Sequence, residues 1–270
     1  MRTRITPEAL TAQQYLRQIW RLRFLLLMFA RRDVKIKYAQ TYLGIGWALA
    51  QPALALAIFT VFFDYIIPLD TQSLPYVLFT FSGLVCWYFF VYIVNAGGLA
   101  LLNNQDLLQK TYFPKLILPL AKILTGGVDF VVMFAALLVV TLAYGYWPTW
   151  KWLTIPLWIG VVVGSGACLA IWTSALSMRH RDVQHVIPVL VNFSIWVVPV
   201  FYPTTLIPAA YSWVLNLNPL VLALAGLRWA LFDVGKIELS GTLGLVILLP
   251  LLLLGCKYFI KVEKNAVDFL

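Results

Sequence analysis

Charge is what this sequence has least of. Asp, Glu, Lys and Arg make up 11% of its 270 residues, while 62% are hydrophobic; soluble domains carry roughly 25% charged residues. A water-soluble fold turns a large share of its surface to solvent, and this chain has too few polar groups to supply it. The composition therefore excludes a soluble enzyme, a disordered chain and a nucleic-acid-binding domain. A net charge of +9 then needs another explanation than nucleic acid. Cysteine is scarce as well. Cys86, Cys168 and Cys256 are odd in number, lie inside apolar runs, and match neither a disulfide framework nor a metal motif. They read as small apolar side chains. The nucleotide-binding pattern GxxxxGK[ST] is missing, since Gly235-Lys236 is followed by Ile237. So are HExxH and GxSxG. Uphill work would have to draw on another subunit or an ion gradient. No cleavable leader is expected, because the first apolar run, Phe24 to Ala30, is short and distant from Arg2 and Arg4.

Long apolar runs fill the space that charge leaves. A crossing helix needs about 20 largely apolar residues. The sequence predicts an all-α integral membrane protein with six spans, at about 45–67, 76–98, 116–146, 153–177, 184–201 and 239–257. Residues 1–44 form a cytoplasmic lead-in and 45–270 the transmembrane domain. Between Val183 and Leu227 no charge occurs, yet Pro199, Pro203, Pro208 and Pro219 punctuate the stretch. Proline removes a backbone donor and disfavours helix before it. The piece Leu220 to Leu231 is about half the crossing length, so residues 204–232 are expected to be re-entrant or interfacial. Irregular backbone at that depth must be covered by protein or water. With a cytoplasmic N-terminus, every Lys and Arg except Lys151, Arg228 and Lys236 falls on the inner side, as the positive-inside rule requires. A seventh span would place Lys257, Lys261 and Lys264 outside, so both termini are expected in the cytoplasm. Anionic inner-leaflet lipid accounts for the basic excess.

Residues 13–30 read as a helix lying on the membrane surface. Tyr15, Ile19, Leu22, Leu26 and Phe29 recur at helical spacing, with Gln14, Arg17 and Arg21 opposite. Arg31, Arg32, Lys35 and Lys37 follow just before the first span. Two readings stay open for them: a topology signal alone, or cations that hold the phosphates of a lipid-linked substrate. Residues 101–110 form a short amphipathic helix candidate between two spans, capped by Asn103 or Asn104 and limited by Pro114. His180 and His185 read as polar loop residues rather than a metal site. Asp64, Lys122 and Asp129 are the ionisable groups nearest bilayer depth, and Asp129 is the strongest functional candidate among them.

Several stretches in order resemble one family. Arg32-Asp33-Val34-Lys35-Ile36-Lys37-Tyr38 running through Gly44, Gly46 and Trp47 to Gln51-Pro52 is similar to the approach to the first span in type 2 ABC transporter permeases of polysaccharide export. Tyr112-Phe113-Pro114-Lys115, Arg181-Asp182-Val183-Gln184-His185, Pro199-Val200-Phe201-Tyr202-Pro203, Asn218-Pro219 and Val262-Glu263-Lys264 fit the same pattern. The resemblance implies a half-transporter. Two permease copies would pair with two nucleotide-binding ATPase subunits, which bind the ATP and Mg, so this chain carries no cofactor and is not itself an enzyme. It implies an N-terminal interface helix, and a coupling helix over Asn103–Thr111 with Asn104, Asp106, Leu108 and Lys110 as contact residues. It also implies re-entrant helices near the outer exit. The substrate would be an undecaprenyl-pyrophosphate-linked glycan, O-antigen first and capsule or teichoic acid as alternatives, crossing the bacterial inner membrane among its lipids.

Physics constrains that task. One unpaired hydroxyl in hydrocarbon costs about 4–8 kcal/mol on a cyclohexane scale, so a glycan needs a continuous polar or aromatic path. A channel between two copies serves this better than one self-packed bundle. Tyr42, Trp47, Phe59, Phe62, Phe63, Trp87 and Tyr88 are its candidate lining, against the alternative that they are interfacial belt or packing residues. Two other classes compete: an ion-coupled secondary transporter, which would need an acidic relay or inverted repeat, and a membrane transferase, for which Asp33 alone supplies no acidic cluster.

Overall fold

In a bilayer every backbone N–H and C=O must be satisfied within the protein, and a helix does so inside one segment. The computed structural model describes residues 12–71, 74–111, 113–180, 182–235 and 241–265. Among them there are helices and no strand. Arg2, Arg4, Tyr112, Arg181, Lys236, the expected start of the last span at 239, and the Lys264 side chain lie outside the described residues.

Five helical stretches are long and apolar enough to cross a membrane: Gly44–Ile66, Tyr76–Gly98, Ile117–Ala143, Trp150–Arg179 and Thr242–Glu263. In chain order the helices are α1 (Ala12–Arg21), α2 (Arg23–Tyr38), α3 (Trp47–Thr60, widening into a π-type stretch Val61–Ile66), α4 (Tyr76–Gly98), α5 (Gln105–Lys110) and α6 (Ile117–Ala143). They continue with α7 (Ile155–Arg179), α8 (Val183–Phe193), α9 (Ser212–Asn216), α10 (Pro219–Phe232) and α11 (Thr242–Asn265).

The expected fifth span differs from what forms. Helix α8 and its tighter continuation end at Trp196, about 21 Å of helix at 1.5 Å per residue against a hydrocarbon core of about 30 Å. Pro199 limits the helix, because proline disfavours helical conformation at the residue before it and has no N–H to continue the ladder. Helix α10 is equally short. Asn218 caps it by accepting from the Leu220 N–H at 3.0 Å, Pro219 occupies its first position, and Asp233 closes it in the left-handed conformation. Five helices long enough to cross and two short apolar helices are thus present among the described residues.

Helix α4 is the centre of the bundle. Of its most apolar stretch 78% is buried, against 11% for the α3 segment and 17% for α11. Lipid is as apolar as leucine, so helices associate here by close fit rather than by escape from water. Small residues permit that fit: a Cβ on Gly97 would lie 2.8 Å from the Ala170 Cβ of α7. Leu78, Leu84, Ile93, Leu137, Val162 and Leu227 form the core around α4.

A second, smaller core lies at the end of the bundle where α1, α2, α5 and the end of α11 meet. It includes Tyr15, Ile19, Phe29, Leu108, Leu116 and Phe259. The surface helix expected over 13–30 is broken at Leu22 into α1 and α2, and α2 runs on to Tyr38, so the basic stretch 31–38 is helical. Tyr15 and Ile19, one turn apart, are buried, whereas Gln14, Arg17 and Arg21 are exposed. The Tyr15 hydroxyl donates to Glu263, which also accepts from the Lys115 N–H at 3.0 Å. One carboxylate thereby joins α1, α11 and the start of α6.

Candidate functional site

Helix α2 lies along α6 and is registered on it by charge. Asp33 and Lys37 are four apart and share one face of α2. Asp33 accepts from Lys122 at 2.6 Å, and Lys37 is ion-paired with Asp129. The two pairs have opposite polarity, so sliding α2 by one turn brings like charges together. Asp129 has a second donor in the Tyr38 hydroxyl. Burial, and then the hydrogen bond and charge of Asp129, push the Tyr38 phenol above its ordinary range. It remains a protonated donor across the physiological range. The Lys37 ammonium also sits 4.3 Å from the centroid of the Tyr92 ring on α4, within cation–π distance.

The four cations of the basic stretch therefore have separate surroundings. Arg32 donates to Asp33 at 2.9 Å and to the Asn104 side-chain oxygen at 2.9 Å, and its guanidinium lies 5.1 Å from the Phe29 ring centroid. Lys37 is held by Asp129. Arg31 and Lys35 are exposed and have no carboxylate partner among the described residues.

Beyond the Lys37–Asp129 pair a cavity of about 900 Å³ opens between α3, α4 and α6. Trp47, Trp87, Tyr88 and Tyr92 form its aromatic walls, and Gln51, Asn95 and Asn192 bring carboxamides to it. The Asn95 carboxamide oxygen is buried without a hydrogen-bond partner among the described residues. Flat rings with amides between them can hold a sugar by its apolar face while bonding its hydroxyls. Of the seven aromatics expected along a channel, Trp47, Trp87 and Tyr88 border this cavity. The other four do not within one chain. Phe59 and Phe63 stack on Phe201, with centroids 4.5 and 5.4 Å apart, because the turn at Pro199 brings Phe201 back against α3. Tyr42 and Phe62 are exposed.

The expected coupling segment forms a tight turn, Leu102–Asn104, followed by α5. Asp106 and Lys110 are exposed on it. Leu108 is buried in the smaller core, where it anchors α5. Asn104 also points inward, donating to the Ala100 carbonyl at 2.8 Å while accepting from Arg32.

Sequence reasoning named Gln51 only as part of the family pattern and missed Tyr92, Asn95, Asn192 and the role of Arg228. Arg228 is buried on α10, donating to the carbonyls of Pro199 (3.0 Å), Val200 (2.7 Å) and Phe79 (3.2 Å), with its guanidinium 3.6 Å from the Phe79 ring centroid. A lone cation in an apolar stretch beside a proline-rich turn was the available signal, since such a turn leaves carbonyls that need donors.

Known proteins share this chain's sequence over most of its length. The family model described as ABC-2 type transporter matches residues 25–232. The O-antigen export system permease protein RfbA of Myxococcus xanthus is 30% identical over 207 residues, covering 76% of this chain and 79% of that protein. A protein of the same description from Klebsiella pneumoniae is 27% identical over 198 residues, 73% of this chain and 75% of its own. The polysialic acid transport protein KpsM of Escherichia coli is 23% identical over 191 residues, 70% and 74% of the two chains. With helices long and apolar enough to cross a membrane and a family match over residues 25–232, the chain belongs to the ABC-2 type transporter family.

Proposed function

We propose that this chain is the permease subunit of an ATP-driven exporter that moves an undecaprenyl-pyrophosphate-linked polysaccharide of the O-antigen type across the bacterial inner membrane. The observation that carries the reading is the cavity. It is walled by Trp47, Trp87, Tyr88 and Tyr92, supplied with carboxamides, and has the cation Lys37 in its lining, which suits a sugar chain ending in phosphate. The likeness to two O-antigen permeases along about three quarters of the chain supports the same polymer. Likeness to the polysialic acid transporter favours a capsular polymer as the second reading, at lower identity.

In this reading two permease copies assemble with two nucleotide-binding ATPase subunits, and ATP and Mg bind there. Both termini face the cytoplasm. Helix α5 docks on the ATPase through Asp106 and Lys110, Arg31 and Lys35 face the headgroup layer, and residues 204–232 form the re-entrant outer portion. Reversing two exposed charges tests the docking. Asp106→Lys combined with Lys110→Glu is expected to keep the permease folded and in the membrane while abolishing co-purification with the ATPase. Unchanged co-purification and export would refute α5 as the docking element.

A further inference from the structure

We infer that Asp129 is an internal competitor with the anionic group of the substrate, a pyrophosphate binding Lys37 in the cavity lining by displacing the Asp129 carboxylate. The inference rests on the proposed reading of the cavity as the substrate site and adds the residue that sets its selectivity. Three observations carry it. Lys37 is the one cation of the 31–37 stretch that borders the cavity; Arg32 is engaged by Asp33 and Asn104. The Lys37 side chain keeps 34% exposure despite its partner, so an incoming anion can reach it. Finally, neither residue is stranded by an exchange. Lys37 retains the Tyr92 ring, and Asp129 retains the Tyr38 hydroxyl.

An ammonium has three donors on a flexible stem and can change anions without losing its ring contact. A pyrophosphate brings more charge and more acceptor oxygens than a carboxylate, so it wins the exchange, whereas a neutral sugar or a lone monoanion does not. Asp129 thus masks the cation until a doubly phosphorylated ligand arrives. A polyprenyl pyrophosphate and an anionic phospholipid headgroup share phosphate chemistry, and the test separates them.

The test is equilibrium binding to the permease–ATPase complex in neutral detergent, using geranylgeranyl pyrophosphate, geranylgeraniol and phosphatidylglycerol as probes. The wild type is expected to bind the pyrophosphate and not the alcohol. Asp129→Asn should tighten pyrophosphate binding about two- to fivefold, the factor that a partly exposed ion pair of ordinary strength withholds. Asp129→Glu should return it to the wild-type value, and Lys37→Gln should weaken it. Tyr38→Phe provides an independent reading that leaves both charges in place: with its second donor gone, Asp129 holds Lys37 harder, and binding should weaken. Tightening that shrinks with added salt supports the inference. Binding that depends on Lys37 but is unchanged or weakened by Asp129→Asn overturns the competition while leaving the substrate reading intact. A gain for phosphatidylglycerol as large as that for the pyrophosphate overturns the pyrophosphate assignment. Absence of pyrophosphate binding in the wild type and every variant overturns the substrate reading itself.

Discussion

Asp33 and Lys122 meet at 2.6 Å with side chains 10% and 15% exposed, which makes this pair energetically different from the more accessible Lys37–Asp129 pair. Removing one member of a nearly buried pair leaves the other charged and unsolvated. Asp33→Asn is expected to destabilise the protein by on the order of 3 kcal/mol, read as a lower melting temperature in detergent. The double change Asp33→Asn with Lys122→Gln should cost less than the two single changes added together, the signature of direct coupling. Arg228 has no carboxylate partner among the described residues, but three backbone carbonyls depend on it. Arg228→Lys cannot reproduce the planar fork, so it should lower the melting temperature although the charge is kept. An unchanged melting temperature would show that the turn at Pro199 holds itself. The most distant of these partners could not be read along the chain. Asp33 and Lys122 are 89 positions apart, and Arg228 and Phe79 are 149 apart, whereas local pattern reaches only a few residues.

Elements differed in how openly the sequence showed them. Helices α4 and α7 are apolar runs free of charge as far as Arg179, and α6 is one beyond Asp129, so the existence of all three follows from hydropathy. The stretch after Val183 is just as apolar, but hydropathy does not register that Pro199 ends the helix near 196. The basic run before the first span hides helix α2, because its charges suggest a solvated linker while Arg and Lys are good helix formers. Leu108 was legible as an apolar residue of a short helix. Which way it faces depends on the smaller core, which contains residues from α1, α2 and α11. Little of helix α3 is buried, and it meets the rest through Leu49, Ala55 and Leu56 as well as through the stacked rings of Phe59 and Phe63. Phe201 is 2% exposed and stacks on both Phe59 and Phe63. Phe201→Ala should cost about 3–5 kcal/mol and should speed amide exchange in α3 more than in α4. Equal exchange in the two helices would show that α3 is anchored elsewhere.

At the scale of the whole molecule, the exposed side of α3 and the open cavity beside it belong to the same argument. Leu54 and Ile58 are 65% and 48% exposed on that helix, and Leu54 also borders the cavity. A second permease copy seated there would close the cavity into a passage. In the assembled complex, a cysteine at Leu54 or Ile58 is expected to form a disulfide between copies, whereas one at Val139, on α6 away from the cavity, is not. Failure at both α3 positions with dimers forming through Val139 would place the passage on another face. The account requires that this subunit provides the route while its partner provides the energy. The direct measurement is translocation of lipid-linked polysaccharide in inverted vesicles, read as entry of glycan into a compartment that an external glycosidase cannot reach. With the ATPase and ATP, glycan should become protected, and with the permease alone or without ATP it should stay accessible. Protection that develops in vesicles holding only this chain would contradict the account.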